Sequence, residues 1–175
     1  IEFSRIFMSW KIPSLRNQRL NIGFEILSVI LSVGRNSRLV KALKEEKNLV
    51  QSVCVDLNAG ELGGLLIIEA CCDKINLQNV EEEINSIIIE LENCKNLTLN
   101  ELKKAINIIK SNYIFNLETS TQLASYFGND LLWNRKNSMK DLSINLEYWT
   151  NLNNFKEIIN YLSRNKFTLV VTSDK

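Results

Sequence analysis

The sequence predicts an α+β domain, a largely antiparallel sheet with several helices packed on one face. Three observations predict it: strand-like runs near both chain ends, two such runs joined by a glycine-rich turn, and helical apolar periodicity between them. The order that emerges, β-α-α-β-β-α-α-α-α-α-β, lacks the strict alternation of a parallel α/β sheet.

Phe3 to Ile12 alternates loosely through Ile6, Met8 and Trp10 and stops at Pro13, as a strand does. Ser14 is then the expected cap of a helix whose apolar residues Leu20, Phe24, Leu27, Ile30 and Leu31 recur until Gly34. A second helix is expected from Ser37 to Lys47. Leu49 to Leu57 and Leu65 to Cys72 read as a hairpin around Asn58-Ala59-Gly60 and Gly63-Gly64. Asn79 with Glu82, Thr98 with Glu101, and Asn154 with Glu157 are expected to open helices. The helix from Thr98 is expected to be the longest. Shorter helices are read over Leu123 to Trp133 and Lys140 to Trp149, and Phe167 to Thr172 closes the chain as a β-branched strand.

At 175 residues the chain supports one substantial core, so one domain over 1–175 is expected. Its start at Ile1 rather than Met suggests a fragment, a processed chain or an expressed piece whose upstream part is missing, and a fragment of a longer two-domain subunit is expected. With 21 basic against 20 acidic residues there is no global field to draw nucleic acid. The most apolar stretch, Ile22 to Val33, carries Glu25 and is too short to span a bilayer, so a soluble chain is expected without a compartment being assigned. Cys54, Cys71, Cys72 and Cys94 lack the CxxC spacing of zinc sites; buried free thiols in a reducing compartment are expected, with Cys71 and Cys72 on opposite strand faces.

The absence of histidine is the most informative chemical feature. It excludes Ser-His-Asp and Cys-His catalysis and every HxxEH zinc site within the chain. Neither a P-loop nor a GxGxxG fingerprint occurs. Ser163-Arg-Asn-Lys166 matches SxxK without its companion motifs and is read as coincidence. Glu81, Glu82 and Glu83 are expected as solvated acids favoured by a helix start. Arg35, Arg38, Lys41, Lys44 and Lys47 recur every third position and are expected to gather on one helical face, as a solvated stripe or a ligand or partner contact.

The segment ILSVILSVGRNSRLVKALKEEKNLVQSV, Ile26 to Val53, resembles the C-terminal, non-catalytic domain of M16-family (pitrilysin or insulinase-like) zinc peptidases. Gly34, Ser37, Arg38, Leu39, Leu43, Glu45, Leu49, Ser52 and Val53 match that pattern. The opening FMSWKIPS, the stretch Cys71 to Leu91, and Leu99 to Gly128 resemble further parts of it, so the likeness covers nearly the whole chain. The resemblance implies a domain that closes a chamber for unfolded peptides. It places the zinc and its HxxEH on an N-terminal-type domain upstream or on a partner subunit, in a homo- or heterodimer, with no cofactor held by this chain.

In the family one such domain also offers an Arg and a Tyr, seven positions apart, to the substrate; those positions fall on Lys44 and Gln51. Lysine keeps the charge without the planar fork, and glutamine lacks the phenol. The departure leaves two explanations: a zinc-bearing subunit whose partner supplies the pair, or a degenerate or structural member. The corresponding alternative function is an inactive helper or assembly subunit. A third possibility, an α+β binding module unrelated to M16, predicts a different sheet topology.

Overall fold

The computed structural model describes residues 3–92, 97–132, 138–162 and 167–173. Cys94, Trp133 and the Ser163 to Lys166 motif therefore lie outside the described residues.

Four strands form one antiparallel sheet in the order β2-β3-β1-β4: β1 Ser4–Ile12, β2 Ser52–Ala59, β3 Gly64–Cys72 and β4 Phe167–Thr172. Period-two alternation decides which side is dry. Ile6 faces Ala70 and Val171, Met8 faces Ile68 and Leu169, and Trp10 faces Leu66 and Phe167. Ile6, Met8, Trp10, Leu66, Ile68 and Ala70 are buried under the helices. The helices lie on one face, and the fold class is α+β as the pattern predicts. Gly60 N–H donates to Gly63 O at 2.9 Å to close the hairpin turn. A Cβ on Gly64 would come within 2.7 Å of Ala59 Cα and Asn58 O, which explains glycine at the start of β3.

Helix α1 (Gln18–Ser32) packs against β2 and three other helices. Its cap is Asn17 rather than Ser14: Leu20 N–H donates to Asn17 Oδ1 at 3.2 Å, while Ser14 Oγ accepts from Arg16 N–H. Gly23 lets the helix Leu152–Ile159 approach, since a Cβ there would meet Ile158 at 2.5 Å. The chain leaves α1 through Gly34 at φ +89°, a conformation glycine adopts without strain.

Helix α2 (Leu77–Glu92) follows a short 3-10 turn at Lys74–Asn76, so Asn79 and Glu82 lie inside it and do not cap it. Glu82 instead accepts from Gln78 Nε2 at 3.0 Å. The Glu81 to Glu83 run accordingly misses the first turn, and Glu83 pairs with Lys47. Helix α3 (Leu99–Phe115) opens on the expected capping box: Glu101 N–H donates to Thr98 Oγ1 and Thr98 N–H to the Glu101 carboxylate. It is the longest described helix. Helices α4 (Ser120–Leu132), α5 (Ser138–Tyr148) and α6 (Leu152–Ile159) follow, the last capped by Asn151, not Asn154. Among the described residues no helix is long and apolar enough to cross a membrane.

Candidate functional site

The segment after Gly34 departs most from expectation. The pattern predicts an α-helix over Ser37 to Lys47; instead Val40–Glu46 is π-helical, ending where Lys47 N–H donates to Ala42 O at 3.1 Å. Leu49 N–H then donates to Leu43 O at 2.7 Å, with Asn48 between them at φ 48°. The buried anchors Leu39, Leu43 and Val50 hold this wide turn against the core. Such wide turns recur at functional positions in helices.

The π-turn disperses the basic stripe, because side chains three apart no longer share one face. Arg38 turns inward, its side chain only 13% exposed, and grips Glu101 of α3 with two bonds of 2.9 and 3.0 Å. Burial raises the Glu101 carboxyl, but hydrogen bonds from Arg38 and Thr98 N–H and the Arg38 charge outweigh it, leaving the group below its ordinary value. Arg38 thus forms a carboxylate clamp between the Gly34 segment and the capping box of α3. Arg35 pairs with Glu45, Lys41 with Glu46, and Lys47 with Glu83 of α2.

Lys44 is the exception. Among the described residues it is the one cation of the five without an ion pair, and it is exposed. Gln51, also exposed, precedes β2, and its backbone N–H donates to Cys71 O at 2.8 Å. The two predicted contact residues therefore flank the Lys47 to Val50 turn on solvent-facing side chains. A stripe read from spacing alone could not show which cation stays free, since two of the four partners, Glu83 and Glu101, come from distant helices.

A feature that no sequence motif announces lies on the sheet's outer face. Cys54 stands opposite Glu69, and Asp56 follows on the same face; one donor atom from each lies within 4.8 Å of the others. Cys54 is exposed, against the expectation of buried thiols, because β2 turns it away from the helices. Cys71 and Cys72 do point to opposite faces, half-buried and buried. Arg5 holds Glu69 in an ion pair. Although Cys54 as a residue is exposed, partial desolvation at its sulfur, then the charges of Asp56 and Glu69, push the thiol above its ordinary value. A peptidase zinc of the HxxEH type does not fit here: the chain has no histidine, and one of the two carboxylates is engaged by Arg5.

The description "Peptidase M16 inactive domain" belongs to the family model that matches residues 1–109. No curated protein matches the chain by sequence. Among solved structures, a protease from Helicobacter pylori superposes with TM-score 0.85 at 20% identity, over 99% of this chain and 42% of that one. A proposed zinc protease from Bordetella pertussis Tohama I gives 0.81 at 13% identity, over 98% of this chain and 94% of that one. A chain of Complex III2 from Candida albicans gives 0.79 at 13% identity, over 98% and 43%. At these identities the likeness is one of fold, and the chain spans about two-fifths of the Helicobacter protease. An unrelated α+β topology is thereby set aside. With more than half of the chain matched by the family model, the chain belongs to the M16 peptidase family, as its inactive domain.

Proposed function

We propose that residues 1–175 form one non-catalytic, C-terminal-type domain of a two-domain M16 subunit. In this reading the domain closes a chamber for unfolded peptides. The zinc chemistry belongs to an N-terminal-type domain, upstream or on a partner subunit. The observation that carries the reading is Lys44, which stays exposed and unpaired on a π-turn while its four neighbouring cations are neutralised. A cation kept free beside an exposed amide, Gln51, is equipped to donate to a peptide carbonyl. The donation is weaker than that of an Arg and Tyr pair, because lysine presents a point charge and not a planar fork. Phe127, Leu131 and Leu132 of α4, 48%, 83% and 71% exposed, supply apolar surface of the kind that a second domain covers.

The test uses the parent subunit with its zinc-bearing domain. Lys44→Ala and Gln51→Ala are expected to lower kcat/KM for an unfolded peptide by about tenfold each, without loss of zinc. Unchanged kinetics would remove both residues from the substrate.

The helper or assembly reading is the second candidate, favoured by the departure of Lys44 and Gln51 from the Arg and Tyr pattern. The similar Complex III2 chain belongs to an assembly by its own description. A parent that lacks HxxEH and leaves peptides intact with zinc present would decide for it.

A further inference from the structure

A groove of about 630 Å³ opens between the first turn of α1 and the pair α5 and α6, lined among others by Arg19, Asp141, Ile144, Asn145, Tyr148 and Glu157. Its volume lies within the range of about 300–1,000 Å³ in which small ligands bind. Lys44 and Gln51 do not line it, so the groove is independent of the substrate contact proposed for those two residues.

Arg19, an exposed residue, makes two side-chain contacts in this groove and one through its backbone. Its guanidinium carbon sits 4.7 Å from the Tyr148 ring centroid. Its Nε donates to Asn145 Oδ1 at 3.2 Å, and Asn145 is only 6% exposed. Its backbone carbonyl accepts from the buried Trp149 Nε1 at 2.8 Å. With the ring face stacked and Nε spent, the two terminal nitrogens remain as a fork. Asp141 and Glu157 line the same groove, yet among the described residues neither forms an ion pair with Arg19 or with any other cation. Ile144, 52% exposed, adds an apolar wall beside Tyr148.

Opposite charges held apart in one groove suit a ligand that carries both. A phosphate-like anion would meet the two carboxylates, and a simple cation would meet the guanidinium. We propose that this groove binds an α-amino-acid zwitterion with an apolar side chain, as the free amino acid or as a short peptide. Its carboxylate takes the Arg19 fork in a bidentate pair, and its ammonium lies toward Asp141 and Glu157. Its side chain rests on Ile144 and Tyr148.

The test titrates the isotope-labelled full chain with leucine, with unblocked trileucine, and with trileucine acetylated and amidated at its ends, following the amides of Arg19, Asn145 and Tyr148. Saturable shifts with an unblocked ligand and none with the blocked one are expected. Leucine binding alone identifies the free amino acid, and trileucine binding alone the short peptide. Arg19→Lys, which keeps the charge but not the fork, is expected to weaken binding about tenfold. The double change Asp141→Asn with Glu157→Gln should do the same, with the dispersed spectrum of a folded chain retained in both. Absence of saturable shifts with either unblocked ligand, equal binding of the blocked peptide, or wild-type affinity in both variants overturns the proposal.

Discussion

Helices α1 and α4 are of similar length and opposite fate. Ten of the fifteen residues of α1 are buried, whereas α4 buries one of thirteen, Asp130, and leaves Phe127, Leu131 and Leu132 in solvent. Both are apolar, and α4 has a single charged residue in its described length. The difference teaches that apolar content marks a surface suited to burial without saying whether this chain buries it. Folding free energy is concentrated around α1, and α4 contributes little of it.

The contrast can be broken most severely at Leu31, fully buried at the end of α1. Leu31→Ala is expected to cost about 2–5 kcal/mol in chemical denaturation. A loss below that range would mean that α1 is not the centre of the core. Next, Gly23→Val forces a branched side chain into Ile158 and Trp149 and is expected to cost about 1–3 kcal/mol beyond any gain in helix propensity. Arg38→Ala removes the clamp on Glu101 and is expected to cost about 1–3 kcal/mol. At the small end, Leu131→Ser on α4 is expected to shift stability by no more than about 0.5 kcal/mol.

The Arg38 clamp also has a pH signature. Glu101 titrates below its ordinary value in the folded chain, so the unfolded chain binds the extra proton first. Its stabilisation is present above the ordinary carboxyl value of 4.5 and is lost as pH falls through the lower folded value. Denaturation curves below pH 4.5 should therefore lose stability more steeply in the wild type than in Arg38→Ala. Parallel curves would show that the clamp carries no proton linkage.

Local signals were legible in the sequence where the chain itself supplies the partner. The Thr98 and Glu101 box is complete within four residues, and β4 occupies the range that its β-branched run predicts. The caps at Asn17 and Asn151 were misplaced because several Ser and Asn residues compete within a few positions of each helix start. The π-turn at Val40–Glu46 was illegible, since tertiary anchoring of Leu39, Leu43 and Val50 overrides an ordinary helical pattern. The same applies to the site. Lys44 and Gln51 followed from a family resemblance, but the ion pairing that singles out Lys44 depends on Glu83 and Glu101, far along the chain. The Arg19 groove joins α1 to α5 and α6, and no local motif announces it.

Central to the proposed function is a domain that would contribute to peptide binding without housing the hydrolytic centre. Its most direct test incubates the purified chain with zinc and an unfolded fluorogenic peptide, measuring bound metal and cleavage together. No cleavage by this chain alone is expected at any zinc occupancy, and hydrolysis rising in proportion to one bound zinc per chain would contradict a non-catalytic domain.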